Sequence, residues 1–172
     1  MLDLALAIPR VIVGLLFVGH GAQKLFGWFG GHGPKGTAGF FASCGIRPAQ
    51  PLAVLVGLAE LCGGLGLALG LATPIAAAFI SAVMLGAIAL VHWPKVWVTE
   101  GGLEYPLVCL AIAAAFGIGG PGAYALDPVV GIALPMPETY LVGLLVAVVM
   151  VAVVLVARHG PADQRAGAAS RA

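Results

Sequence analysis

Seven polar side chains stand where an apolar sequence should have none. His20, Gln23 and Lys24 share one segment, at spacings of three and four, which place all three on one face of a helix. Glu60 lies in a second apolar segment, His92 at the end of a third, and Glu104 and Tyr105 at the start of a fourth. An ionisable group at the centre of a bilayer costs about 2.5–3.5 kcal/mol on insertion scales, so it needs a partner, a cavity or a task. Two histidines, two carboxylates and a lysine can neutralise one another. They can also hold a polar ligand and pass protons to it, with Glu60 and Glu104 as the candidate relay. Each has a plainer reading. Lys24 can snorkel to the headgroups, and His20 can pack by bonding a neighbouring helix. Glu60 can simply bridge two helices through His20 or Lys24. Glu104 suits a helix N-terminus, and His92 can be an interfacial residue beside Trp93 and Trp97.

The elements that carry these groups are membrane spans. The 172 residues are 61% apolar and only 9% charged, with a mean hydropathy of +1.08. A soluble domain carries about 25% charged residues. The net charge of +1 leaves no basic field for nucleic acid. Five apolar segments are read at about 4–26, 52–72, 74–93, 103–119 and 139–157. The fourth is short for a span of about 20 residues. None alternates as barrel strands do, so each is expected to be a helix, which satisfies its own backbone in lipid. The first segment lacks the basic stretch of a cleavable signal and is expected to remain as a span.

Breaks between segments agree. A glycine-rich stretch from Gly27 to Gly36 contains Pro34, Pro48 and Pro51 precede the second span, and Thr73-Pro74 makes a tight turn into the third. Residues Thr37 to Cys44 read as a short interfacial helix, and with the glycine-rich stretch they form a candidate lid. Small residues around Glu60 (Gly57, Ala59, Gly63 and Gly64) allow another helix to approach closely. Glu60 is therefore expected to face the interior. Up-down topology then gathers the seven polar residues in one half of the membrane. A glycine–histidine–lysine pattern at Gly14–Lys24 and Gly86–Lys95 suggests a duplication.

Lys24, Lys35, Arg47, Lys95, Arg158, Arg165 and Arg171 fall on one side of the membrane and Arg10 on the other. The positive-inside rule then places the N-terminus outside and the C-terminus in the cytoplasm. Arg10 is expected to reach outward and to form an ion pair with Asp127. Three cysteines, Cys44, Cys62 and Cys109, without a C-x-x-C, read as packing thiols. No metal site is expected. The fold class is all-α: a transmembrane four-helix core over 1–127, a fifth transmembrane helix within 128–158, and a polar, disordered tail over 159–172.

Four motifs in order carry a family resemblance. His20-Gly21-Ala22-Gln23-Lys24-Leu25-Phe26-Gly27, Gly57-Leu58-Ala59-Glu60-Leu61-Cys62-Gly63-Gly64, Gly101-Gly102-Leu103-Glu104-Tyr105-Pro106 and Gly120-Pro121-Gly122-Ala123-Tyr124-Ala125-Leu126-Asp127 resemble the DoxX family of small bacterial membrane proteins. The resemblance covers about Leu4 to Asp127. It departs at Ala125, where the family commonly has serine, and does not account for the fifth segment. It implies a multi-pass protein of the bacterial cytoplasmic membrane. It also implies an accessory role in a quinone-linked oxidoreductase, such as thiosulfate:quinone oxidoreductase, or in a redox-stress complex. It points to His20, Gln23, Lys24, Glu60, Glu104 and Tyr105 as site residues.

A quinone suits these residue types. Its head takes hydrogen bonds from His, Gln or Tyr, and its reduction needs two protons. No cofactor of the chain's own is expected, because no flavin or iron–sulfur motif is present; electrons would come from a protein partner. The chain is then at most a subunit of an enzyme. A non-catalytic scaffold or assembly subunit is the alternative, and a homo-oligomer stays open. Haem held between His20 and His92 and a small transporter are weaker readings, the latter because four core helices are few and no span is clearly broken at mid-membrane.

Overall fold

The computed structural model describes residues 1–158. The tail expected over 159–172 lies outside the described residues. Among those described, helices and turns account for all regular structure and no strand is present. The helices are α1 (Leu2–Phe26), α2 (Gly33–Ser43), α3 (Ala49–Leu69), α4 (Thr73–Gly86), α5 (Glu104–Gly119), α6 (Asp127–Val130) and α7 (Glu138–Arg158). α4 runs on through a π-helical stretch, Ala87–His92, so the third span reaches 20 residues. Among the described residues, four helices are long and apolar enough to cross a membrane: Leu2–Phe26, Ala49–Leu69, Thr73–His92 and Glu138–Arg158. α5, at 16 residues, is about 24 Å long against a hydrocarbon core of about 30 Å. The chain is an all-α, multi-pass membrane bundle.

Element boundaries differ from the sequence reading in instructive ways. α3 starts three residues earlier than hydropathy suggests, at Ala49, because Pro51 sits in its first turn, where a missing N–H is harmless. It stops at Leu69, where Gly70 takes a left-handed conformation (φ 64°) that ends the helix. The short helix expected over 37–44 is α2, which begins four residues earlier at Gly33, with Pro34 in its first turn.

The closest helix pair is α1 and α3, and glycine makes it so. A Cβ on Gly21 would lie 2.6 Å from the backbone nitrogen of Leu61, and one on Gly64 2.6 Å from that of Val18. Neither position tolerates a side chain, so the two backbones meet directly. The antiparallel register that results sets Lys24 opposite Glu60. α4 packs against α3 on one side and α5 on the other, and α7 lies along α4. Phe17, Leu67, Ile80 and Ala113, from α1, α3, α4 and α5, are fully buried in the shared core.

The expected Arg10–Asp127 ion pair is not formed. Arg10 does not reach outward either; it is 2% exposed. Its guanidinium donates to the carbonyls of Leu67 and Ala68, each at 3.1 Å, and to that of Tyr124. Asp127 accepts from the backbone N–H of Ala72 (2.6 Å) and of Thr73 (3.1 Å), and from the Thr73 hydroxyl (2.9 Å). The reason is the unsatisfied backbone at the α3–α4 turn. The last carbonyls of α3 need donors and the first N–H groups of α4 need acceptors. A cation at the C-terminal end and an anion at the N-terminal end also match the helix dipoles. Both charges therefore cap one turn rather than each other.

Candidate functional site

Glu60 faces the bundle interior, 3% exposed. Lys24 Nζ lies 2.7 Å from its Oε1 and 2.6 Å from its Oε2, so one ammonium bridges both carboxylate oxygens. This contact holds only because the glycines let α1 and α3 touch. The lysine is the more exposed partner, with 24% of its side chain accessible against 4% for the glutamate. One turn earlier on α1, His20 Nδ1 lies 3.2 Å from Gln23 Oε1, and His20 Nε2 lies 3.3 Å from the Tyr105 hydroxyl on α5.

The network fixes donor roles. Gln23 Nε2 donates to the Phe29 carbonyl at 3.1 Å, so its amide oxygen faces His20. That oxygen only accepts, so Nδ1 of His20 carries the proton. In the neutral ring Nε2 is then the acceptor, and the Tyr105 hydroxyl donates to it. A chain of polar contacts thus runs from Gln23 through His20 to Tyr105, beside the Lys24–Glu60 pair. Cys109, read from the sequence as a packing thiol, is buried in the shared core, 4% exposed.

His92 stands apart from that chain. Its Nδ1 donates to the Gly101 carbonyl at 2.7 Å, which leaves Nε2 of the neutral ring with a free lone pair. Glu104 is turned elsewhere. Its Oε1 accepts from the backbone N–H of Val98 at 2.9 Å, tying the α4–α5 connection. Thus the structure brings His20, Gln23, Lys24, Glu60 and Tyr105 together and sets Glu104 outside the cluster. Arg10 and Asp127 stand at the far end of the bundle.

One cavity of about 450 Å³ joins the cluster to apolar walls. His20, Lys24, Glu60, His92 and Tyr105 line its polar part. The remaining walls are apolar and come from α2, α3, α4 with its π-helical continuation, and α7. Its size falls within the range of small-molecule sites, about 300–1,000 Å³. Such a space suits a molecule with a small polar head and an apolar remainder.

The DoxX family model matches residues 5–93, which include His20, Gln23, Lys24, Glu60 and His92. The chain belongs to the DoxX family. A protein of Bacillus subtilis (strain 168) named "Putative oxidoreductase CatD" is 30% identical over 128 residues, which span 74% of this chain and 88% of that protein. No solved structure matches. In this DoxX protein the family-matched residues thus supply four of the five polar groups on the cavity, and Tyr105 supplies the fifth from α5.

Proposed function

We propose that this DoxX protein is an accessory subunit of a quinone-linked membrane oxidoreductase or redox-stress complex. The observation that carries the reading is a cavity in which the Lys24–Glu60 pair and two histidines meet apolar walls. A quinone head would rest on the Lys24–Glu60 pair, with His20, Tyr105 and His92 at its rim. Lys24 Nζ is the donor available to a quinone carbonyl, and His92 Nε2, with its free lone pair, can accept from a hydroxyl of the quinol. Lys24 would stabilise negative charge as the head is reduced. Reduction to the quinol takes two electrons and two protons. The electrons come from a protein partner bearing a flavin or iron–sulfur centre. Glu60 is the candidate proton relay inside the cavity: its carboxylate takes up a proton from water on the Lys24 side and passes it to the reduced head, once for each of the two protons. Glu104, placed in the connection, would serve at most as an outer relay through that loop. The protein lies in the cytoplasmic membrane, N-terminus outside and C-terminus in the cytoplasm, which puts the polar mouth on the cytoplasmic side. The name of the Bacillus subtilis relative supports an oxidoreductase setting.

The test isolates the chain from native membranes with its co-purifying partner and follows partner-dependent quinone reduction. Glu60→Gln is expected to lower turnover by about tenfold or more, the usual scale for removing a general acid. Unchanged turnover would remove Glu60 from the chemistry. A scaffold subunit is the second reading, favoured by the way the Lys24–Glu60 pair locks α1 to α3. Loss of the complex in each of His20→Ala and Glu60→Gln, with no change in turnover per assembled complex, would favour it.

A further inference from the structure

The family model ends at residue 93, yet α7 forms part of the cavity. Ala147, Met150, Val151 and Val154 of α7 line the same space as His20, Lys24 and Glu60. They recur at three, four and seven residues, one helical stripe turned toward the bundle. Ala147 is 2% exposed, whereas Val149 on another face is 53% exposed. Leu55 of α3, Phe79 of α4 and Met150 of α7 line the cavity and are each more than two-fifths exposed, so the space opens on the apolar outer surface. The far end of α7 is pinned to the cavity wall. Arg158 Nη1 donates at 2.9 Å to the Leu90 carbonyl in the π-helical stretch of α4. Its side chain also lies over Gly45, where an added Cβ would approach its Nε to 3.2 Å. Widened helical turns of this kind leave carbonyls without their usual partner, and they concentrate at functional sites.

We infer that α7 is the tail-binding wall of the site: it receives the apolar chain of an amphiphilic ligand whose polar head rests on the Lys24–Glu60 pair. This rests on the quinone reading of the polar cluster and extends it to the lipid-soluble, long-tailed class. The occupant follows from the cavity's own continuity, charged at one part, apolar elsewhere and open to the bilayer. Lipid is as apolar as this wall, so a tail gains little by leaving it for the cavity. What the wall supplies is shape. A bulky side chain on the stripe removes that shape while leaving the polar cluster untouched.

The experiment uses the full chain in lipid nanodiscs and two probes with one head: 2,3-dimethoxy-5-methyl-1,4-benzoquinone, and the same ring carrying a decyl chain. Affinities are compared among wild type, Met150→Trp, Val151→Trp and the outward control Val149→Trp, after unfolding temperatures confirm that each variant folds. Met150 lies at the exposed rim, so its replacement keeps the test alive should Val151→Trp fail to fold. Both stripe variants are expected to bind the decyl probe about tenfold more weakly, equivalent to about 1.4 kcal/mol. Binding of the tailless probe stays unchanged, and Val149→Trp behaves as wild type. Equal weakening of both probes, or no change in either, would overturn the role of α7 and leave the quinone reading standing. If wild type binds neither probe, the quinone reading itself fails and takes this inference with it.

Discussion

At the scale of single residues, the asymmetry of the Lys24–Glu60 pair sets what each deletion does. Removing one partner of a buried pair typically costs about 3–5 kcal/mol, because the other is left uncompensated. Here the two partners are not equivalent. Lys24 has 24% of its side chain accessible and can swing to the headgroups, whereas Glu60 has 4% and cannot leave. Lys24→Met is therefore expected to lower unfolding stability in mild detergent more than Glu60→Gln, and Lys24→Met/Glu60→Leu to recover much of the loss. The reverse order of the two single variants would mean that the carboxylate has another counter-ion. The cap at the opposite end gives a second expectation. Asp127→Ala removes three hydrogen bonds from the start of α4 and should cost about 1–2 kcal/mol, the scale of a lost N-cap. Ligand binding should persist, because the cap and the cavity lie at different ends of the bundle. A binding defect in that variant would show that the two ends are coupled.

At the scale of elements, the contact of α1 with α3 decides whether a site exists. Gly64→Ala places a methyl group against the backbone of Val18; overpacking of this kind costs about 1–3 kcal/mol. Gly19, on the same helix as Val18, has open space around its Cβ position. There the same substitution should leave stability unchanged or raise it by up to about 1 kcal/mol. Similar unfolding temperatures for Gly64→Ala and Gly19→Ala would contradict direct backbone contact. Much of this arrangement was legible in the sequence. The small residues around Glu60 implied a close neighbour, and the breaks implied antiparallel helices, so Glu60 could be placed inside. The caps were not legible. Arg10 and Asp127 carry opposite charge at one membrane depth, and pattern alone suggests a pair. Only the path of the 120–127 segment back over the α3–α4 turn shows that backbone groups claim both. Glu104 was misleading for a related reason, since its side chain serves a local N–H in a connection whose course hydropathy does not reveal. The α7 wall was hidden too, because a fully apolar helix carries no mark of which face meets protein and which meets lipid.

At the scale of the whole molecule, the proposed orientation rests on the distribution of Lys and Arg, and the proposed function on the cavity. The proposed arrangement has the α1–α3 connection in the cytoplasm and the α5–α7 connection outside. In a cysteine-free background, Lys35→Cys should be shielded from a membrane-impermeant thiol reagent in intact cells and labelled after permeabilisation. Val129→Cys, 77% exposed at its native side chain, should be labelled in both. The opposite pattern would invert the topology and put the polar mouth outside. The proposed function requires the polar cluster and the apolar walls to form one binding site. Photo-crosslinking tests that most directly: a decyl quinone with an azide on its ring is irradiated with the protein in nanodiscs, and the labelled peptides are mapped. Labelling is predicted on the segments bearing Glu60, His92 and Tyr105, and to fall when unlabelled decyl quinone competes. Labelling spread over the outward face of α7, or insensitive to competitor, would contradict the account.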